Sequence, residues 1–202
     1  MKILLATGNP HKAREVAPLL SGIDVELLTL ADLPEIPAVV EDGATLDANA
    51  RKKALEPAAA SGLWTLADDT GLEVEALDGA PGVYSARYAG EGCDFAANIE
   101  KLLRELRGVP EARRGAAFRT VVALASPSGE VRCVEGRLDG RIAEAAAGGG
   151  GFGYDPLFFV PELGRTLAEI SAEKKNEISH RGRAIRAIVP ALRDVIAAAS
   201  TA

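Results

Sequence analysis

The sequence predicts an α/β protein: a mixed β-sheet with flanking helices. Three observations carry that expectation. Short apolar runs alternate with amphipathic helical segments through the first half of the chain. A Ser126-Pro127-Ser128-Gly129 turn between two long apolar runs adds an antiparallel hairpin, so the sheet is not all parallel. Polar segments repeatedly follow apolar strands, where open α/β sheets place their ligand crevices. The 202 residues suit one large domain or two small lobes. With no internal repeat and no low-complexity linker, residues 1–202 read as a single domain.

Each element has its own signal. Residues 2–6 form an apolar run stopped by Thr7-Gly8-Asn9-Pro10, as a buried strand is. Residues 12–20 place Ala13, Val16, Leu19 and Leu20 at helical spacing before Ser21-Gly22. Residues 24–30 are strand-like, and 32–43 form a proline-bearing loop rich in carboxylates. A helix is expected over 45–60, with Pro57 ending or kinking it. Residues 64–67 read as a strand that stops at Asp68-Asp69-Thr70-Gly71, and 72–77 as a second, half-exposed strand. A glycine-rich loop over 79–92 leads to the clearest amphipathic helix, 94–106, with Phe95, Ile99, Leu102, Leu103 and Leu106 in one stripe. Strands at 116–125 and 130–138 flank the Ser-Pro-Ser-Gly turn. A second glycine loop, 148–155, precedes the strand 157–160. The tail, 179–199, is helical, with Pro190 expected to kink or restart it.

Composition excludes several classes. At 48% hydrophobic and 26% charged, the chain is typical of a soluble globular protein. No apolar run approaches the roughly 20 residues that span a bilayer, and no basic segment followed by an apolar core opens the chain. Cys93 and Cys133 stand far apart without a CxxC, so neither a disulfide scaffold nor a structural zinc site is expected, and a reducing cytoplasm is. A net charge of −6 argues against a dedicated nucleic-acid binder. His11 and His180, the whole histidine complement, exclude a multi-histidine metal site.

Four constellations could carry chemistry. Thr7-Gly8-Asn9-Pro10-His11-Lys12, between a strand and a helix, sets backbone N–H groups, side-chain donors and a cation around a turn. That suits a phosphate; it equally suits a plain helix cap with a solvated Lys12. Glu41-Asp42 and Asp68-Asp69 offer hard oxygen ligands for Mg²⁺, and one acid of the Asp pair could take a proton from an attacking water. The alternative is ordinary loop solvation. Gly148-Gly149-Gly150-Gly151-Phe152-Gly153-Tyr154-Asp155 contains GxGxxG, but a strand follows it rather than a helix, so it is not a dinucleotide fingerprint. It reads as a loop that approaches a flat ligand, with Phe152 or Tyr154 available for stacking, or as a flexible connection. In residues 173–182, Lys175, His180 and Arg181 could serve phosphate or a base-edge carbonyl; as a bare charge run, the segment would cap a helix at Ser179. Jointly they describe a nucleoside triphosphate site with Mg²⁺.

These blocks carry a family resemblance. The chain resembles the inosine/xanthosine triphosphate pyrophosphatases, the Ham1-like enzymes that clean the nucleotide pool. The matching stretches are residues 7–12, Glu41 with Asn49 and Lys53, residues 67–72, 79–88 and 151–156, and Ser179-His180-Arg181-Gly182, in family order along nearly the whole chain. The resemblance implies Mg²⁺-dependent hydrolysis of ITP, dITP and XTP to the monophosphate and pyrophosphate. It implies an elongated mixed-sheet α/β fold with a cleft between two lobes, a homodimer, and neither nucleic acid nor membrane as partner. Carried over, Thr7, Gly8, Asn9, Pro10, His11 and Lys12 bind the triphosphate, and Lys53 and Thr70 bind substrate. Glu41 and Asp69, with Asp68 as a further candidate, bind metal, and Asp69 is the catalytic proton acceptor. Thr70 keeps the hydroxyl of the family's usual Ser. Phe152, Gly153, Tyr154, Asp155, Lys175, His180 and Arg181 hold the base and sugar end. Val40 departs from relatives that carry an acid beside the metal-binding Glu. The rival readings are a pyrophosphatase of pyrimidine or modified nucleotides and a non-catalytic nucleotide sensor.

Overall fold

A computed structural model describes residues 1–92 and 94–199; Cys93 lies outside the described residues. Strand β1 (Lys2–Leu5) pairs in parallel with β2 (Glu26–Thr29) and with β3 (Trp64–Val74). The two-residue β4 (Pro81–Gly82) adds antiparallel to β3. Strands β5 (Gly115–Ala125) and β6 (Val131–Ile142) are joined by a tight turn in which Ser126 N–H donates to Glu130 O, giving the expected hairpin. Strands β7 (Phe158–Val160) and β8 (Arg165–Thr166) continue antiparallel from β6. The order is β2-β1-β3-β5-β6-β7-β8 with β4 on β3: the mixed sheet that the sequence predicts. Its helices are α1 (Pro10–Leu19), α2 (Leu46–Ser61), α3 (Phe95–Glu105), α4 (Ala172–Ile178) and α5 (His180–Ala199). Among the described residues, no helix is long and apolar enough to cross a membrane.

The chain divides into two units. The first comprises Met1–Asp69, Thr120–Gly136 and the described residues from Arg181 onward. Its core packs Ile3 and Leu5 of β1, Val16 of α1, Leu66 of β3, Val122 and Leu124 of β5, and Ile185, Ile188 and Leu192 of α5. The second comprises Thr70–Arg119 and Arg137–His180. Its core packs Leu72 and Val74 of β3, Leu102 of α3, Leu106, Phe118 of β5, Leu138 of β6, and Leu157 and Phe158. The α3 stripe read from the sequence therefore does its packing, with Asp94 capping the helix by accepting from the Ala96 and Ala97 amides.

Several boundaries differ from expectation, each for a physical reason. Asp68-Asp69-Thr70-Gly71 is not a turn: β3 runs unbroken through it. The turn-like composition is overridden because both carboxylates meet cations, as described below. Helix α1 starts at Pro10, whose missing N–H costs nothing at the first helical position. Helix α2 continues past Pro57 to Ser61. One internal hydrogen bond is lost there, but Ala50, Ala54, Pro57 and Ala58 are buried and hold the turns together. It ends at Gly62 in the left-handed region (φ 69°), whose N–H donates to Ala58 O. Helix α5 likewise spans Pro190. Helix α4, capped by Ser171 Oγ accepting from Lys174 N, occupies what reads in sequence as a charge run. Ser179 closes α4 at its C-terminal end.

Arg114 is the polar tie of the second unit. It is 5% exposed and donates to three main-chain carbonyls: Leu106 at 2.9 Å, Val109 at 3.0 Å and Ala143 at 3.2 Å. These groups close the end of α3 and the start of β5. Arg114→Met is expected to lose about 2–4 kcal/mol of unfolding free energy, because buried carbonyls are left without donors. Leu102→Ala, at a fully buried site, is expected to lose about 2–5 kcal/mol. Urea denaturation of each variant beside the parent checks both.

Candidate active site

The first unit assembles a charged cluster on β3. Successive residues of a strand point to opposite faces, and Asp68 and Asp69 do so with different partners. Asp68 Oδ2 accepts from Lys12 Nζ of α1 at 2.9 Å and from Arg181 Nε of α5 at 3.3 Å. Arg181, 2% exposed, also pairs with Glu15 of α1. Asp69 meets α2: its Oδ1 lies 3.2 Å from Lys53 Nζ and its Oδ2 accepts from Asn49 Nδ2 at 3.3 Å. The same Lys53 ammonium lies 3.2 Å from Glu41 Oε2, so Glu41 and Asp69 converge on one cation.

The turn into α1 is a helix cap, as one of the two readings of the sequence has it. Asn9 is the helix cap: its Oδ1 accepts from His11 N at 2.9 Å and Lys12 N at 3.4 Å, while its own N–H donates to Thr7 Oγ1 at 3.2 Å. Lys12, however, is not a solvated side chain; it is held against buried Asp68.

Asn49, matched in the family resemblance but given no role there, lies at the centre of the site. It is 1% exposed and bridges the cluster, its Oδ1 accepting from Gly43 N at 2.7 Å while its Nδ2 donates to Asp69. A Cβ on Gly43 would stand 2.5 Å from that Oδ1, so the loop carrying Glu41 can lie this close only with glycine there. Asp42 turns instead to Lys52, at 2.7 Å on the exposed side of α2. Val40 is 66% exposed.

The electrostatics separate the two aspartates. Burial disfavours ionisation of Asp68, but Lys12, Arg181 and Lys53 outweigh it and hold its carboxyl well below the usual carboxylate range. Burial raises the pKa of Asp69, and the nearby Glu41 and Asp68 carboxylates add to the rise against Lys53 and Lys12. Burial lowers the pKa of the Lys12 ammonium, with Lys53 and Arg181 adding to the fall against Asp68. Among the described residues, Lys12, Lys53 and Arg181 thus interleave with Glu15, Glu41, Asp68 and Asp69.

The second unit builds the glycine loop. Gly150 N–H donates to Ala168 O at 2.9 Å, and Phe152 N–H donates to Asp155 Oδ2 at 2.8 Å. Asp155 is buried and paired with buried Lys175 of α4. Gly151 (φ 67°) has no room for a Cβ, which would stand 2.0 Å from Asp155 Oδ2. The Phe152 ring is half-buried, 6.0 Å from the Phe95 ring and 4.9 Å from the Lys175 ammonium. Tyr154 is buried instead, and its hydroxyl donates to Ser85 O at 2.9 Å. Of the two aromatic candidates, only Phe152 is left with an accessible ring. His180 is buried and stacks on Phe118 at 4.5 Å. Thr70 and Gly153 are half-buried.

Comparison with known proteins agrees with this reading. The model of the Ham1 family matches residues 3–191. A protein of Geobacter sulfurreducens named dITP/XTP pyrophosphatase is 53% identical over 91% of this chain and 92% of its own length. One of that name from Listeria monocytogenes is 50% identical over 96% of both chains. Among solved structures, a HAM1 protein from Coxiella burnetii superposes with a TM-score of 0.88 at 38% identity, over 96% of this chain and 99% of that one. A nucleoside-triphosphatase / dITP/XTP pyrophosphatase from Mycobacterium abscessus gives a TM-score of 0.76 at 48% identity, over 94% of this chain and 100% of that one. Matched over nearly its whole length in sequence and in fold, the chain belongs to the Ham1 family.

Proposed function

We propose that the chain hydrolyses deaminated purine nucleoside triphosphates (ITP, dITP and XTP) to the monophosphate and pyrophosphate, clearing them from the nucleotide pool. The observation that carries this reading is the convergence of Glu41 and Asp69 on one ammonium beside Lys12. Relatives covering nine-tenths of the chain bear the name dITP/XTP pyrophosphatase.

The donor set fits a magnesium ion. Two hard carboxylate oxygens, one from Glu41 and one from Asp69, already converge on one cation, and Mg²⁺ needs only one or two protein carboxylates beside phosphate and water. Glu41 and Asp69 are the residues that would hold Mg²⁺, which when bound supplies positive charge against the phosphate oxygens. Asp68 is committed to Lys12 and Arg181.

The remaining roles follow from the chain's own groups. Lys12 and the capped turn from Thr7 receive the triphosphate, and Lys53 keeps Glu41 and Asp69 in place. Asp69, whose proton affinity burial has raised, accepts the proton of a water that attacks the α-phosphorus. The new bond joins that water's oxygen to the α-phosphorus, and the bond that breaks releases pyrophosphate. Phe152 offers its ring to the base, while Lys175 fixes Asp155 and through it the loop.

Selectivity follows from the purine six-position, an acceptor in hypoxanthine and xanthine and a donor in adenine. The donors proposed for that carbonyl are Arg181, which also pairs with Asp68 and Glu15, or backbone N–H groups. A buried donor left unmatched by adenine costs about 1–3 kcal/mol, or about 5- to 150-fold in selectivity. The chain acts as one catalytic domain, in the cytoplasm and as a homodimer.

A panel of nucleoside triphosphates assayed separately for pyrophosphate and orthophosphate tests this. Pyrophosphate from ITP, dITP and XTP, at least tenfold faster than from ATP, is expected. Orthophosphate as the released product, or equal rates with ATP, contradicts the reading; preference for a pyrimidine triphosphate would reassign the substrate. Chelation by EDTA is expected to abolish turnover and added Mg²⁺ to restore it; turnover in excess EDTA would remove the metal.

A further inference from the structure

The segment 79–88, prominent in the sequence, has no role in the chemistry above, and the structure gives it one. Ser85, on a short 3₁₀ turn (Ser85–Arg87), is 7% exposed and bonds through both its side chain and its carbonyl. Its hydroxyl donates to Gly82 O at 2.6 Å and accepts from Leu72 N at 2.8 Å. Leu72 lies on β3, three residues after Asp69. The Ser85 carbonyl accepts from the Tyr154 hydroxyl at 2.9 Å and from Asn98 Nδ2 at 3.4 Å. Asn98, itself buried on α3, also donates to Ala86 O at 3.0 Å and accepts from Ala89 N at 2.6 Å. Tyr154 follows Phe152 by two residues. A single buried serine therefore ties the β3 backbone to the loop that presents the Phe152 ring.

We propose that Ser85 is a positioning residue for base recognition. It acts through Tyr154 and sets where the loop around Phe152 stands. This rests on the nucleotide pyrophosphatase reading, and deepens it by assigning the unassigned segment to the base end rather than to the phosphate end. Phe152 has two independent supports under that account. Asp155 fixes its backbone from within the loop, and the Ser85–Tyr154 bond fixes the loop from outside. Binding lost at the base, far from the reacting phosphorus, raises KM and leaves kcat nearly unchanged.

The test compares Ser85→Ala, Tyr154→Phe and the double variant with the parent, using ITP as substrate and inorganic tripolyphosphate as a base-free competitive inhibitor. For Ser85→Ala, KM for ITP is expected to rise about 5- to 20-fold with kcat within threefold, the loss of one or two buried hydrogen bonds. The tripolyphosphate inhibition constant is expected to stay within twofold, which a general loosening of the fold would not allow. Tyr154→Phe, which removes only a hydroxyl, is expected to raise KM in the same direction. The double variant is expected to show less than the product of the two changes, since Ser85→Ala breaks the link to Leu72 and Tyr154→Phe the next link, to the Ser85 carbonyl, of one tether. An unchanged KM in both single variants overturns the proposal, as does a parallel rise in the tripolyphosphate constant, or strict multiplication in the double variant. A parent that releases no pyrophosphate from ITP overturns the pyrophosphatase reading and this proposal with it, whereas an active parent with unaffected variants overturns this proposal alone.

Discussion

Two adjacent carboxylates inside one buried strand set the terms for everything around them. An ionised carboxylate removed from water costs several kcal/mol unless cations and hydrogen bonds replace the solvent. Asp68 and Asp69 lie mid-strand in β3 and are 3% and 5% exposed, so each must find its cation within the fold. Strand alternation sends them to different elements. Asp68 draws in Lys12 from α1 and Arg181 from α5, and Arg181 returns to α1 through Glu15. Asp69 draws in Lys53 and Asn49 from α2, and these collect the loop that carries Glu41. The charges that would destabilise the strand are what dock three helices on it, beside the apolar packing of Val16, Leu66, Ile185 and Ile188.

That arrangement also divides the work between the acids. Asp68 is held well below the usual carboxylate range by Lys12, Arg181 and Lys53 against the burial that opposes its charge. Asp69 shares the Lys53 ammonium with Glu41 and is pushed the other way by burial. A carboxyl whose folded pKa lies above its unfolded value costs stability once pH exceeds the unfolded value. Burial therefore counts against ionised Asp69 at neutral pH, and Lys53, a proton or an arriving cation offsets it. Such a group is suited to binding metal and accepting a proton, and Asp68 is suited to holding Lys12. In the second unit, buried Lys175 and Asp155 make a comparable pair around the loop at Phe152, where Gly151 allows Asp155 to approach the backbone.

Much of this was legible in the sequence, and the part that was not has a common cause. Local patterns identified the α3 stripe, the Ser126–Gly129 turn and the polar blocks, because spacing and turn chemistry act over a few residues. The straight run of β3 through Asp-Asp-Thr-Gly was not legible, since it depends on Lys12, Lys53 and Arg181, far away along the chain. Neither Pro57 nor Pro190 ends its helix, for the same reason: tertiary packing outweighs one missing hydrogen bond. Arg181 reads in sequence as a donor for a base and stands in the structure between two carboxylates. Asn49 carried a weak signal, its eight-residue spacing from Glu41 on the way to Lys53, but nothing local shows an amide that bridges a glycine N–H and an aspartate.

The division of labour on β3 is tested most directly by the unfolding free energy of Asp69→Asn measured beside that of Asp68→Asn at neutral pH without metal. The account predicts that Asp68→Asn loses about 2–4 kcal/mol, because Lys12 and Arg181 keep their charge and lose their buried partner. It predicts that Asp69→Asn stays within about 1 kcal/mol of the parent, since Lys53 keeps Glu41 as a partner and a carboxyl disfavoured by burial is removed. A loss in Asp69→Asn as large as that in Asp68→Asn would show that both acids are structural, and would contradict the account.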